Sequence, residues 1–215
     1  MIEILESKSS VFNQFIAEIR DINIQQDSMR FRRNLERMGE IFAYEISKRL
    51  DYATKEVTTP LGIAHIDLPI EQPVIASILR AGLPLHQGLL NYFDKGQNAF
   101  ISAYRKSHKD GTFDIQIEYV SSPNLADRIL ILSDPMVATG ASMVLAYKTL
   151  IQKGIPKHTH FVTILASVEG LEYAKKNLPV NTTIWVGAVD DELTAQSYIV
   201  PGLGDAGDLA YGKKV

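Results

Sequence analysis

The stretch "ILILSDPMVATGASMVLAYKTL", Ile129 to Leu150, contains the junction from which the rest of the chain is read. A short aliphatic run ends at Asp134 and Pro135, a turn passes through Thr139 and Gly140, and a helical pattern begins at Ala141. A continuous apolar run of this length is the mark of a strand buried on both faces. In the helical part, Met143, Val144, Ala146, Tyr147, Leu150 and Ile151 fall on one side, with Lys153 in the last turn, Gly154 as C-cap and Pro156 preventing continuation.

The same plan recurs on either side. "VIASILRAG" ends in Arg80 and Gly82, "AFISAYR" in Arg105, "HFVTILAS" in Ser167 and "TTIWVGAVD" in Asp190. Repeated apolar strands separated by loops and helical segments predict an α/β fold, a parallel sheet flanked by helices on both faces. Each run ends in a polar residue at the carboxyl end, where open α/β sheets bind ligands, so the strand ends are expected to converge on one crevice. From Asp27 to Leu50, Phe31, Leu35, Met38, Phe42, Ile46 and Leu50 recur at steps of three and four, predicting an amphipathic helix. Residues 51–72 have no clear period, and Pro60-Leu61-Gly62 predicts a turn or hairpin. Residues 106–122, with alternating Phe113, Ile115, Ile117 and Tyr119, read as a flexible, protruding β-arm or a hairpin beside the sheet. A chain of 215 residues fits a single domain, 1–215.

Composition removes several classes of function. Cysteine is absent, which excludes disulfides, thiolate catalysis and sulfur-ligated zinc. The formal net charge of -3 gives no global attraction to nucleic acid or to anionic membrane. No apolar run approaches the roughly 20 residues needed to span a bilayer. "MIEILESKSS" lacks the pattern of a signal peptide, so a cytoplasmic location is expected. The five histidines show no metal-ligand spacing and no linked nucleophile.

A strand-to-helix junction rich in small residues offers free backbone N–H groups to phosphate, here beside the hydroxyls of Thr139 and Ser142. Asp134 at the strand tip is suited to accept hydrogen bonds from sugar hydroxyls, and the combination reads as a sugar-phosphate pocket. Capping and strand termination alone would account for the same residues. A P-loop is disfavoured, because Ala141 and Ser142 follow Gly140 and the next lysine is Lys148. "GLGDAG", Gly202 to Gly207, matches a dinucleotide fingerprint literally, but only eight residues follow it. A tight loop with exposed backbone groups, able to read the edge of a small planar ligand, is the better reading. Arg80 and Arg105, each closing an apolar strand, are suited to diphosphate oxygens.

Taken together, "ILRAG" (78–82), "YR" (104–105), "DPMVATGAS" (134–142) and "YIVPGLGDAGD" (198–208) closely resemble the uracil phosphoribosyltransferase family, with "RDINIQQDSMRFR" extending the likeness toward the N-terminus. The resemblance implies a type I phosphoribosyltransferase fold with a hood built from N-terminal helices and the C-terminal segment. It implies transfer of phosphoribose from 5-phosphoribosyl 1-diphosphate to uracil, giving UMP and diphosphate in pyrimidine salvage, with Mg²⁺ held mainly by substrate diphosphate and water. Carried over by position, Arg80 and Arg105 hold the diphosphate, and Asp134 meets the ribose. Pro135, Met136, Val137, Ala138, Thr139, Gly140, Ala141 and Ser142 are implied to bind the donor, Val137 to Ser142 wrapping its 5-phosphate. Ile199, Gly204 and Ala206 address uracil mainly through their backbone, and Asp205 lies between base and donor. Arg105, Asp134 and Asp205 are thereby the expected catalytic residues.

Two features qualify the likeness. The family often has "ATGGS" where this chain has Ala141, and Pro135 replaces the second acid of many other phosphoribosyltransferases, as is usual for the uracil enzymes. The resemblance leaves open a dimer or a tetramer, and whether GTP activates. The alternatives are a phosphoribosyltransferase for another base and a non-catalytic RNA-binding regulator of the same fold; the regulator would need a contiguous basic surface.

Overall fold

The computed structural model describes residues 1–107 and 113–213, the side chains of 104–107 and 113–115 excepted. In chain order the strands are β1 (Ile2–Ile4), β2 (Tyr52–Thr59), β3 (Gly62–Pro69), β4 (Val74–Leu79), β5 (Gln97–Ser107), β6 (Phe113–Ser121), β7 (Ile129–Ser133), β8 (Met136–Val137), β9 (His158–Ser167), β10 (Thr182–Asp190), β11 (Glu192–Leu193) and β12 (Ile199–Val200). The helices are α1 (Val11–Arg20), α2 (Ser28–Ser47), α3 (Gly82–Tyr92), α4 (Ala141–Leu150), α5 (Val168–Asn177) and α6 (Ala206–Tyr211).

The main sheet runs β1-β10-β9-β7-β4-β5-β6, and β8 pairs with β9. All of its pairings are parallel except β5 with β6. The two faces are distinct along single strands. In β4, Ile75 belongs to the core shared with α1, α2 and α3, while Val74, Ala76 and Ile78 belong to the opposite core shared with α4 and α5. Phe161 and Val162 of β9 divide in the same way. Burial on both faces is therefore the reason these strands read as continuous apolar runs.

Helix α2 follows its expected stripe, with Phe31, Leu35, Met38, Phe42 and Ile46 buried, and Asp27 caps it by accepting from the N–H groups of Met29 and Arg30. The residues around Pro60 form the exposed hairpin β2–β3. Of the two forms expected for the arm, the described residues take that of strands paired beside the sheet: β6 pairs antiparallel with β5 as the edge strand of the main sheet, and Ile117 packs into the α4-side core. Residues 108–112 lie outside the described residues. The tight loop at 202–205 leads directly into α6.

On the sheet, Trp185 Nε1–H donates to Nδ1 of buried His160 at 3.0 Å. Burial, then the neighbouring His158 and Arg49, push His160 down to about 3. The unfolded chain therefore takes up this proton first as pH falls, so the contribution of His160 to stability is complete above 6.5 and diminishes toward about 3. We expect the urea midpoint to drop between pH 7.5 and pH 5, and His160→Gln to reduce that drop; an equal drop in the variant would assign it to other groups.

Candidate active site

A cavity of about 600 Å³ opens at the carboxyl ends of β4, β5 and β7. Three segments distant in sequence meet there: Ile78 to Ala81 at the end of β4, Asp134 to Gly140 after β7, and the C-terminal residues Ser197 to Ile199 and Gly204 to Gly207. Ser102 and Ala103 of β5, with Ser142 and Met143 of α4, complete the wall.

The Asp134–Ser142 loop is secured from beneath. The Asp134 N–H donates to the Val162 carbonyl at 3.0 Å, and the Pro135 carbonyl accepts from the N–H groups of Ile164 and Leu165 at 3.1 and 3.0 Å. Met136 and Val137 then run parallel to Leu165 and Ala166 as β8. Ser167 Oγ donates to the Ala138 carbonyl at 2.5 Å and accepts from the Gly170 N–H at 2.8 Å. Gly140 turns the chain into α4 with φ of +77°, and an added Cβ would lie 2.6 Å from the Gly170 carbonyl oxygen. Gly140 gives α4 no side-chain cap, and the Ala141 N–H makes only a long bond of 3.5 Å to Thr139 Oγ1, so the helix start can still turn toward an anion at the cavity wall. Ala141 does not share the positive φ of Gly140, which explains how a methyl is accommodated where the family often has glycine.

The C-terminal loop is anchored by an ion pair outside the cavity. Arg20 meets Asp190 with two bonds of 2.8 Å, and its Nη1 also donates to the Gly202 carbonyl at 3.2 Å. The Gly202 N–H returns to Asp190 Oδ2 at 2.9 Å. Both polar groups of one peptide residue are thus fixed by one buried carboxylate and its guanidinium. Gly202 has φ of +56°, and a side chain there would collide with the Ile199 carbonyl. Asp205 Oδ1 accepts the Asp208 N–H at 2.9 Å and so caps α6 at the cavity edge.

Most of the expected site residues are brought together: Arg80, Asp134, Pro135, Met136, Val137, Ala138, Thr139, Gly140, Ser142, Ile199, Gly204, Asp205 and Ala206 all line the cavity. Ala141 starts α4 without lining it. Arg105 lies on β5 opposite Ile115, and its side chain is outside the described residues. Several strand ends converge on the cavity, but not all of them. Ser167 and Asp190 do not line the cavity; their side chains are turned to holding the two loops. Sequence reasoning assigned no role to Arg20, Ser102, Tyr198 or Gly207. Arg20 did stand within the "RDINIQQ" likeness, but its partner is 170 positions away.

The uracil phosphoribosyltransferase family model matches residues 6–213. The chain is 56% identical over 211 residues to a uracil phosphoribosyltransferase of Porphyromonas gingivalis, covering 98% of each. It is 37% identical over 204 residues to one of Thermococcus gammatolerans, covering 93% of this chain and 88% of the relative. The solved structure of the AQ2163 protein from Aquifex aeolicus matches with a TM-score of 0.87 at 29% identity, covering 99% of this chain and all of that one. Fold, cavity and relatives together define an enzyme of the phosphoribosyltransferase class, within the glycosyltransferases. Within that class, the chain belongs to the uracil phosphoribosyltransferase family.

Because the Asp190 side chain is only 6% exposed, losing its partner leaves a buried charge uncompensated. Arg20→Ala is expected to lower unfolding free energy by about 2–4 kcal/mol, with Arg20→Lys recovering part of it, as read from urea unfolding. Wild-type stability in Arg20→Ala would show that the pair does not secure the loop.

Proposed function

We propose that this protein transfers the 5-phosphoribosyl group of 5-phospho-α-D-ribose 1-diphosphate to uracil, releasing diphosphate and forming UMP. The observation that carries this reading is that the Asp134–Ser142 loop and the Ile199–Ala206 loop, distant in sequence, share one cavity. The first suits a phosphate, and the second offers backbone groups to a planar base.

The proposed roles follow the chemistry. N–H groups of residues 137–142 receive the 5-phosphate, and Asp134 accepts from the ribose hydroxyls. Arg80 and Arg105 take the diphosphate side. Ile199, Gly204 and Ala206 bind uracil through their main chain, and Asp205 faces the space between base and ribose. As the bond from the anomeric carbon to diphosphate breaks and the bond to the uracil nitrogen forms, positive charge grows on the ribose. Asp134 and Asp205 favour that charge electrostatically, while the arginines favour the departing anion. No histidine lines the cavity among the described residues, and none is assigned as proton acceptor.

Asp134 and Asp205 are the carboxylates that line the cavity, and no group of three or more potential metal-ligating His, Cys, Asp or Glu side chains occurs among the described residues. That donor set fits a Mg²⁺ that takes most of its ligands from substrate oxygens and water. When bound, Mg²⁺ would neutralise charge on the diphosphate. We read the chain as one phosphoribosyltransferase domain, α1, α2 and the C-terminal segment forming its hood, assembled as a homodimer or homotetramer in the cytoplasm. Activation by GTP, adopted from the family likeness, is checked by adding GTP to the same assay. Among the described residues, no helix is long and apolar enough to cross a membrane.

With Mg²⁺ and the diphosphate donor, purified protein should form UMP and release diphosphate with uracil, and give no comparable turnover with hypoxanthine or orotate. Equal turnover across the three bases would overturn the assignment of uracil. Arg105→Ala should lower kcat/KM by about a hundredfold if its guanidinium stabilises the leaving diphosphate. An unchanged rate in a folded variant would remove Arg105 from the site.

A further inference from the structure

We propose that Asp208 is a positioning residue that holds the Arg80 guanidinium between the C-terminal helix and the diphosphate side of the cavity. The inference rests on the reading of Arg80 as a diphosphate ligand. A guanidinium has five N–H donors in a rigid plane, so it can bind two partners on different edges at once. In Arg80, Nη2 donates to Asp208 Oδ1 at 3.1 Å and Nη1 donates to the Gly212 carbonyl at 3.3 Å. Its Nε–H is buried with no hydrogen-bond partner among the described residues, and Arg80 lines the cavity. Two donors of the fork are therefore engaged by α6 and its C-cap, and the side chain, 36% exposed, has further N–H groups to offer a ligand.

Three further contacts make α6 a firm seat. Gly207 leaves room for the fork, since an added Cβ would stand 3.3 Å from Nη2. The Asp208 N–H is bound to Asp205 Oδ1, so the carboxylate that grips Arg80 belongs to the same turn as the cavity-edge Asp205. At the far end, Arg32 Nη1 donates to the Ala210 carbonyl at 2.6 Å, and the Arg32 guanidinium lies 5.8 Å from the Tyr211 ring centroid. The Arg80 and Asp208 side chains are 36% and 32% exposed, and an ion pair so open to water contributes little to stability. Its effect is to orient Arg80. Because the seat is part of the base loop's own helix, the position of the diphosphate arginine is tied to the loop proposed to hold uracil.

The test is calorimetric titration of inorganic diphosphate with Mg²⁺ into wild type, Asp208→Ala, Asp208→Asn, Arg80→Ala and the double variant Arg80→Ala/Asp208→Ala, with thermal unfolding of each. Asp208→Ala should weaken diphosphate binding roughly tenfold, the scale of a lost charge-assisted hydrogen bond, with little change in Tm. Asp208→Asn keeps a carbonyl acceptor and should recover part of the affinity. On the Arg80→Ala background, Asp208→Ala should cause no further loss, because the two act through one group. Wild-type affinity in Asp208→Ala, or an equal loss on both backgrounds, would overturn the proposal. UMP formation measured in parallel separates the two readings. Wild type that binds diphosphate but makes no UMP refutes uracil transfer, whereas active wild type with undiminished diphosphate binding in Asp208→Ala refutes only the role of Asp208. Failure of wild type to bind diphosphate would refute the seat as well.

Discussion

Burial of both faces of the parallel sheet is the constraint from which the rest of the molecule follows. Strands such as β4, β7 and β9 give residues to two opposite cores, so their central stretches are largely apolar. The residues proposed for chemistry are thereby left to the strand ends and the loops beyond them. The cavity lies at those ends, and the residues proposed to act in it arrive from β4, from β7 and from the C-terminal loop.

A cavity made of loops needs those loops to be rigid, and here rigidity comes from groups behind the wall. Ser167 and the backbone of β9 hold the Asp134–Ser142 loop, while Arg20 and Asp190 hold the loop containing Gly202. The same residue type thus serves two ends. Asp134 closes its strand at the cavity, whereas Asp190 closes its strand buried under an arginine. Which role an acid takes depends on the element that covers it, and α1 covers Asp190.

This explains what the sequence could and could not disclose. Periodicity exposed the central strands, α2, α4 and α5, because a buried face imposes a repeat that is readable locally. Strand β1 has three residues, too few for any period. Helix α3, "GLPLHQGLLNY", contains two glycines and a proline, poor helix formers held in place by packing against α2. The site loops were legible because small residues, hydroxyls and acids cluster there. The supports were not, since Arg20 with Asp190 and Arg80 with Asp208 join positions 170 and 128 apart. Resemblance to a family delivers the ends of the strands; only the fold distinguishes those that face the ligand from those that brace the loops.

The Gly202 anchor separates the shape of a recognition surface from the side chains displayed on it. Arg20 and Asp190 grip the main chain of the loop, not its side chains. Neighbouring positions can therefore drift in identity while the path of the peptide stays put, provided that its length and its positive-φ glycines, Gly202 and Gly204, are kept. Selectivity stored in a backbone path is robust to most point changes and fragile to insertion. The constraint on divergence consequently falls on spacing along the loop and on two residues that never reach the cavity.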